Sequence, residues 1–170
     1  VHEGNESPPP YLEASPGLME ELFRQAGEAG SWLHAQGYRG TASADFLVAE
    51  RASHGDRRGW VCEVNARVPG ATYPSVLARH YLPEGAWLMR NLKFAHLESG
   101  AHILQLLEKR GDLFHEGRTS GILPINLNTT SDGRVEKGQF LCLGATTAEC
   151  HEQLLHAKKD LPLDWSYVRD

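Results

Sequence analysis

Lysine is absent from more than half of this chain. No lysine precedes Lys93, and the arginines are scattered along the sequence rather than clustered. The formal net charge of the 170 residues is −5. Because proteins that bind nucleic acid usually carry a basic patch or stripe, this charge distribution argues against nucleic acid as the main partner.

Cysteines and long apolar runs are also scarce. The three cysteines, Cys62, Cys142 and Cys150, contain no Cys-x-x-Cys pair, and their odd number does not suit a disulfide framework. We therefore expect a reducing, cytoplasmic setting. No apolar run approaches the ~20 residues that a membrane span requires, and no signal peptide is visible, so we expect no membrane partner.

The sequence does not open with methionine. Residues 1–10, VHEGNESPPP, are typical of a polar, proline-rich loop that extends to about residue 15. We therefore expect the chain to be a fragment, or one half of a longer protein. Its 41% hydrophobic content is enough for one ordinary domain or two small ones.

The rest of the chain alternates between helical and extended patterns. A Ser-Pro helix start, apolar residues at helical spacing and a terminating glycine predict a first helix (Ser15, Pro16, Leu18, Leu22, Ala26, Ala29, Leu33, Gly37). Two strand patterns, 40–50 and 60–67, predict a hairpin. Short helices are expected over 75–80 and 99–110, and Gly111 ends the second of them.

The C-terminal third adds a second hairpin and a last helix. Ser131-Asp132-Gly133 is a turn signal between two strand patterns, and Thr146 to Glu149 has the spacing of a capping box. The predicted order is helix, hairpin, helices, hairpin, helix. This order is typical of an α+β fold with antiparallel pairing.

The first hairpin carries charged residues on alternate positions. A midpoint near His54 places Asp45 opposite Glu63. One face then collects apolar residues that we expect to pack on a helix, with Cys62 in the core (Ala44, Phe46, Val48, Trp60, Cys62, Val64). The other face collects the polar residues (Ser43, Asp45, Glu63, Asn65, Arg67).

The polar face has the donors of a magnesium site. Two carboxylates directly across an antiparallel pair repel each other, and a hard divalent cation would offset this repulsion. Asp45, Glu63 and the amide oxygen of Asn65 supply oxygen ligands, and the planar Arg67 side chain suits a phosphate oxygen. The alternative is a solvated hairpin face on which Arg67 neutralises an acid. Nine histidines show no zinc-ligand spacing.

These residues resemble the C-terminal half of an ATP-grasp domain. GYRGTASADFLV, a turn and EVNARVPG are similar to the hairpin of metal-binding acids in that superfamily, over about residues 15–80. The resemblance implies that Asp45, Glu63 and Asn65 hold two Mg²⁺ ions that bridge the ATP phosphates. It also implies that Arg67 contacts the transferring phosphate or the bound substrate, in a catalytic role.

The segment PGATYPS resembles the loop of D-alanine–D-alanine ligases that holds a substrate carboxylate. Gly70 and Ser75 match the two contacts of that loop, which implies a substrate-binding role for both. This chain departs from the pattern by one extra residue between Asn65 and Pro69.

The C-terminal third narrows the family. GILPINLNTTSDGRVEKGQFLCLGATTAEC resembles the C-terminal domain of pheganomycin-type peptide ligases, enzymes of antibiotic biosynthesis. The resemblance implies that residues 1–115 form the C-terminal half of an ATP-grasp domain and that residues 116–170 form a small hairpin-and-helix domain. The implied activity is ATP-dependent joining of a small carboxylate to an amine or peptide, through an acyl phosphate.

One departure concerns the rest of an ATP-grasp site. The N-terminal half in that superfamily usually supplies two phosphate-binding lysines and a glycine-rich loop, and neither occurs in residues 1–92. We therefore expect that half as a partner, and expect this chain alone to bind ATP weakly and to catalyse nothing. A non-catalytic nucleotide-binding or peptide-binding module is the alternative. The substrates and the oligomeric state stay open, and a homo-oligomer is compatible with the sequence.

Overall fold

A computed structural model describes residues 4–12, 14–15, 17–50 and 57–164. The chain is α+β, with four α-helices and two antiparallel sheets among these residues, as the sequence predicts. Contacts group the chain into two compact units. We call Pro9–Thr72 the hairpin unit, and Val1–Pro8 together with Tyr73–Asp170 the sheet unit. No helix in the described ranges is both long and apolar enough to cross a membrane.

The hairpin unit contains one long helix and one hairpin. A 3-10 helix at Pro10–Leu12 precedes α1 (Leu18–Ala35), and β2 (Ser43–Glu50) pairs antiparallel with β3 (Arg57–Asn65). A strand of the sheet unit, β1 (Gly4–Ser7), precedes these elements in the chain. The predicted hairpin is confirmed, and its predicted midpoint at His54 lies outside the described residues.

The ends of α1 match the prediction at one end only. Gly37, with φ of 89°, follows the helix, and the Tyr38 N–H reaches back to the Leu33 carbonyl at 3.1 Å, as expected for a glycine-terminated helix. The predicted Ser15 cap is wrong. The N-cap residue is Gly17, which has no side chain to accept a hydrogen bond, and Ser15 contributes only its carbonyl to the Leu18 N–H. Pro16 lies outside the described residues.

A β-bulge divides the hairpin. Asp45 pairs with Glu63, but Phe46 pairs with Val61, so Cys62 is an extra residue in β3. Because paired residues share a face, Phe46, Val48, Gly59 and Val61 lie together. This face packs on α1: Gln25 donates to the Gly59 carbonyl at 2.8 Å and accepts from the Val61 N–H at 3.3 Å.

The bulge overturns two predictions for the apolar face. Trp60 pairs with Leu47, and therefore lies on the face of Asp45 and not on that of Phe46. Cys62 is exposed and not part of the core, and its thiol donates to the Asp45 carbonyl at 3.2 Å. The extra residue, Cys62, shifts the alternation of side chains along β3 by one position. Counting paired residues outward from the turn assumes unbroken alternation, and therefore assigns Trp60 to the wrong face and wrongly places Cys62 in the core.

The sheet unit is built on a four-stranded antiparallel sheet. Its strands are β1, β4 (Ala86–Ser99), β5 (Gly121–Thr129) and β6 (Arg134–Gly144), in the spatial order β1-β4-β6-β5. The helices are α2 (Thr72–Tyr81), which starts one residue before the unit, α3 (Gly100–Arg110) and α4 (Thr147–Lys158).

Apolar side chains pack against helices on both faces of the sheet. On one face, side chains of β4, β5 and β6 form the main core with α3 and α4 (among them Leu88, Leu92, Phe140, Ile103, Leu154). On the other face, a smaller cluster packs against α2 (Met89, Leu141, Leu143, Ala78, Phe114). The sheet unit is therefore three layers thick where α2 covers it.

Two strands of this sheet are not in the sequence prediction. The strand β4 runs for 14 residues and lies in the interior of the sheet, and β1 lies in the stretch expected to be a loop. Buried residues of β4 point to both faces, as Leu88 and Met89 do, so the strand lacks the alternating pattern of a half-buried strand. Its hydrophobic pattern does not distinguish strand from helix.

The predicted signals of the last third are confirmed. Gly133, with φ of 77°, lies in the turn between β5 and β6. At the start of α4, Thr146 Oγ1 accepts from the Glu149 N–H at 3.1 Å, and Glu149 Oε2 accepts from the Ala145 N–H at 2.6 Å. Gly111 ends α3 with φ of 74°.

The domain boundary after residue 115 stays a prediction, because compactness does not define where a family domain ends.

Candidate functional site

The polar face of the hairpin brings together the acids that the sequence predicts. Asp45 of β2 lies directly across from Glu63 of β3, and Ser43 lies across from Asn65. Asn65 Nδ2 donates to Asp45 Oδ2 at 3.3 Å. The predicted register at this position is confirmed, and four oxygen-bearing side chains occupy neighbouring positions on one face of one hairpin.

The hydrogen bonds leave several oxygen atoms without a partner. Asn65 uses its amino group on Asp45, so its amide oxygen has no partner among the described residues. Glu63 has no hydrogen bond or ion pair there either. The hydroxyl of Ser43, on the same face, is a buried oxygen without a hydrogen-bond partner. Since buried polar groups are usually paired, this orphaned oxygen fits a face that binds a further polar group.

The donor set suits a hard cation better than a transition metal. Two carboxylates and one amide oxygen are ligands that Mg²⁺ accepts, with water or phosphate oxygens completing its octahedron. Among the described residues, no cluster of three or more His, Cys, Asp or Glu side chains has a metal-binding arrangement. The residues present therefore fit a cation that is bound by two carboxylates, one amide oxygen, and oxygen atoms of water or phosphate.

Arg67 does not lie on the strand. The strand β3 ends at Asn65, and Arg67 follows in a bend, so alternation along the strand no longer defines its face. The predicted strand through Arg67 is wrong in this respect. The side chain is exposed and forms no hydrogen bond or ion pair with any described residue. Its phosphate-binding role stays a prediction.

An exposed apolar pair lies beside the acids. Leu47 and Trp60 are cross-strand partners on the face of Asp45, and they are 63% and 49% exposed. The position of Leu47 could have been predicted, because it follows Asp45 by two residues on an unbroken strand. Trp60 could not, because the bulge at Cys62 separates it from Glu63.

The two residues predicted to bind a substrate carboxylate lie in different units. Gly70 is in the loop after β3 and belongs to the hairpin unit, whereas Ser75 lies in α2 and belongs to the sheet unit. Gly70 is exposed and Ser75 is half-buried. Their shared role in substrate binding stays a prediction.

Comparison with known proteins gives no relative for this chain. No protein-family description matches the sequence, no curated protein matches it, and no solved structure matches the fold.

Proposed function

We propose that this chain provides the metal- and nucleotide-binding part of an ATP-dependent carboxylate–amine ligase of the ATP-grasp type. The observation that carries the proposal is the cross-strand pair of Asp45 and Glu63, with Asn65 beside it. Two facing acids destabilise a hairpin unless a cation or another group offsets their repulsion. Their position on adjacent hydrogen-bonded strands suits a site that binds phosphate oxygens through a cation.

The proposed reaction has two steps. A substrate carboxylate attacks the terminal phosphorus of ATP, which gives an acyl phosphate and ADP. An amine then attacks the acyl carbon, which gives an amide and releases inorganic phosphate. When bound, two Mg²⁺ ions would neutralise phosphate charge and polarise the bond that breaks.

Each residue of the site has a defined part in this proposal. Asp45 and Glu63 bind the cations through carboxylate oxygens, and Asn65 contributes its unpartnered amide oxygen. The Asn65–Asp45 hydrogen bond holds the Asp45 carboxylate in one orientation. Arg67 binds the transferring phosphate with two parallel hydrogen bonds.

The exposed pair of Leu47 and Trp60 supports a nucleotide rather than phosphate alone. An apolar surface next to cation-binding acids suits a flat base, because the indole ring stacks on a base while the phosphates reach the acids. The antibiotic-biosynthesis context and the peptide nature of the amine follow from the sequence resemblance alone.

The test combines nucleotide binding with turnover. In the presence of the proposed N-terminal half, ADP release from ATP should require Mg²⁺, a candidate carboxylic acid and an amine, and it should be lost in Glu63→Gln. The matched control is Glu50→Gln, which removes an acid from the same hairpin at a position paired with Arg57 on the other face. Arg67→Lys should lower turnover while the fold is kept, because an ammonium cannot make two parallel hydrogen bonds.

The alternative function is a nucleotide-binding module without catalysis. The exposure of Asp45 and Glu63 favours it, since water-filled surroundings weaken the electrostatic effects on which catalysis depends. Magnesium-dependent ATP binding without ADP formation, in the presence of the N-terminal half, would support this module. Equal Mg²⁺–ATP binding by wild type, Glu63→Gln and Glu50→Gln would contradict both functions.

A further inference from the structure

The α2 helix covers only half of one sheet face in the sheet unit. Leu77, Ala78, Tyr81 and Leu82 pack over the apolar half of that face. The other half carries polar side chains in two neighbouring cross-strand rows. One row is Asn91, Gln139 and Asn126, and the next is Lys93, Lys137 and Asn128.

The first row is held in place by its own hydrogen bonds. Gln139 donates to Asn91 Oδ1 at 3.0 Å and accepts from Asn126 Nδ2 at 3.3 Å. The Tyr73 hydroxyl, at the start of α2, also donates to Gln139 Oε1. Since hydrogen bonds link the three side-chain amides of this row, the row presents donors and acceptors in a defined order.

In the second row, Lys137 carries a charge that no described residue compensates. Lys93 and Lys137 are direct cross-strand partners, and like charges in this position are destabilising. Lys93 is paired with Asp164, its ammonium 3.4 Å from the carboxylate. Lys137 forms no ion pair or hydrogen bond with any described residue, and neither does Asn128 beside it. Asp164 already offsets the charge of Lys93, and an anion beside Lys137 would offset the charge that remains.

The side chains of both rows, except Lys93, line a surface cavity. Its volume is about 260 Å³, and its described lining includes Lys137 as the one charged residue, with Asn91, Asn126, Asn128 and Gln139. The volume lies just below the range of about 300–1,000 Å³ that is usual for drug-sized ligands. A ligand of one or two amino-acid residues therefore fits better than a nucleotide.

We propose that this amide-lined cavity binds a small carboxylate that also carries an amide. The carboxylate binds Lys137 and the amino group of Asn128, and the ligand's amide pairs with the side-chain amides of Asn126 and Asn91. The proposal does not depend on ATP or on the hairpin site, because all of these residues belong to the sheet unit.

The experiment titrates the full chain, without nucleotide or Mg²⁺, with three probes. They are N-acetylglycine, N-acetyldiglycine and the C-terminal amide of N-acetyldiglycine, which differs from its parent mainly in lacking the charge. We expect saturable shifts of the backbone amide signals of Asn126, Lys137 and Gln139 with both acids. The uncharged amide should bind at least about tenfold more weakly, because a hydrogen bond to a charged group is stronger.

Three variants locate the binding. Lys137→Gln should lower the affinity for the acids to that for the amide, and Asn128→Asp should do the same by pairing with Lys137. Lys109→Gln is the matched control, because it removes the same charge from an exposed position of α3. N-acetyldiglycine binding more tightly than N-acetylglycine would indicate a peptide C-terminus rather than a free amino-acid derivative.

Three results would overturn the proposal. They are the absence of saturable shifts with either acid, equal binding of the acid and its amide, and equal effects of Lys137→Gln and Lys109→Gln. Glu63→Gln should leave the probe affinity unchanged, so failure of this site and failure of the hairpin site are separate outcomes.

Discussion

At the scale of single residues, the facing acids Asp45 and Glu63 dominate the hairpin. Because they lie directly opposite each other, Glu63→Gln should stabilise the hairpin unit by about 0.2–1 kcal/mol in the absence of divalent cations. The gain should shrink as salt screens the repulsion. Urea titrations followed by the amide signals of β2 and β3 measure it.

The same titrations contain their control. Glu50→Gln removes an acid that faces Arg57, 3.9 Å away, so it should leave stability unchanged or slightly lower. With Mg²⁺ and ATP present, the order of wild type and Glu63→Gln should reverse. If Glu63→Gln is less stable than wild type without any cation, Glu63 makes a favourable contact in the native hairpin. This result would contradict the repulsion argument.

The sequence predicts the facing acids but not their surroundings. A count from His54 gives the correct partner for Asp45 only because the bulge adds one residue to β3. Nearer the turn, Phe46 pairs with Val61 instead of Cys62. A bulge depends on backbone geometry that no residue in WVCEV specifies by type, which is why the exposed position of Trp60 could not be predicted.

At the scale of elements, the bulge also exposes a thiol. Cys62 is exposed in β3, whereas Cys142 in β6 and Cys150 in α4 are buried. Burial, and secondarily the charge of Glu149, raises the pKa of Cys150 to about 12, and burial raises the pKa of Cys142 as well. A raised pKa leaves almost no reactive thiolate at mildly alkaline pH.

A thiol reagent should therefore modify one cysteine of the native chain rapidly. Peptide mapping should find the label at Cys62, and labels at Cys142 and Cys150 should appear only under denaturing conditions. Since the Cys62 thiol donates to the Asp45 carbonyl, Mg²⁺–ATP should slow its modification. Rapid native labelling of Cys150 would contradict the buried packing of α4.

A second element-scale feature is the close approach at the start of β5. Gly121 has φ of 149°, and a Cβ there would lie 2.9 Å from the Phe114 Cα. The Phe114 N–H also binds the Ile122 carbonyl at 2.9 Å, so the two segments cannot separate easily. Gly121→Ala therefore strains the backbone and forces the segments apart.

Gly117→Ala is the matched comparison. Gly117 also has a positive φ, 87°, but a Cβ there would meet no atom within 4 Å. We expect Gly117→Ala to cost about 1–2 kcal/mol from the backbone alone. Gly121→Ala should cost about 1–3 kcal/mol more, from overpacking. Equal losses in urea denaturation would mean that the contact with Phe114 relaxes freely.

The strands that could not be predicted from the sequence form by pairing with strands that are far away in the chain. The turn and cap signals of β5, β6 and α4 are local, and all of them are confirmed. The strand β4 gains its structure from β1 and β6, about 80 and 50 residues away in the chain, and no local signal reports these partners.

At the scale of the whole molecule, the two units differ in how much they bury. Among the described residues, Leu18 is the only buried apolar side chain of the hairpin unit, and all the others belong to the sheet unit. Phe23 and Trp32 of α1 are 70% and 61% exposed. A hairpin with one helix and little buried surface is marginally stable, because apolar burial is the main favourable contribution to folding.

Amide hydrogen exchange should therefore separate the units. Amides of β2 and β3 should exchange much faster than those of β4 and β6, because the hairpin unit opens without unfolding the sheet unit. Mg²⁺–ATP should slow exchange in β2 and β3, since a ligand stabilises the folded form that it binds, and should leave β4 and β6 unchanged. Glu63→Gln should remove this protection and Glu50→Gln should keep it. Equal exchange rates in all four strands without ligand would mean that the chain unfolds as one cooperative unit, and that the sparse packing of the hairpin unit does not limit its stability.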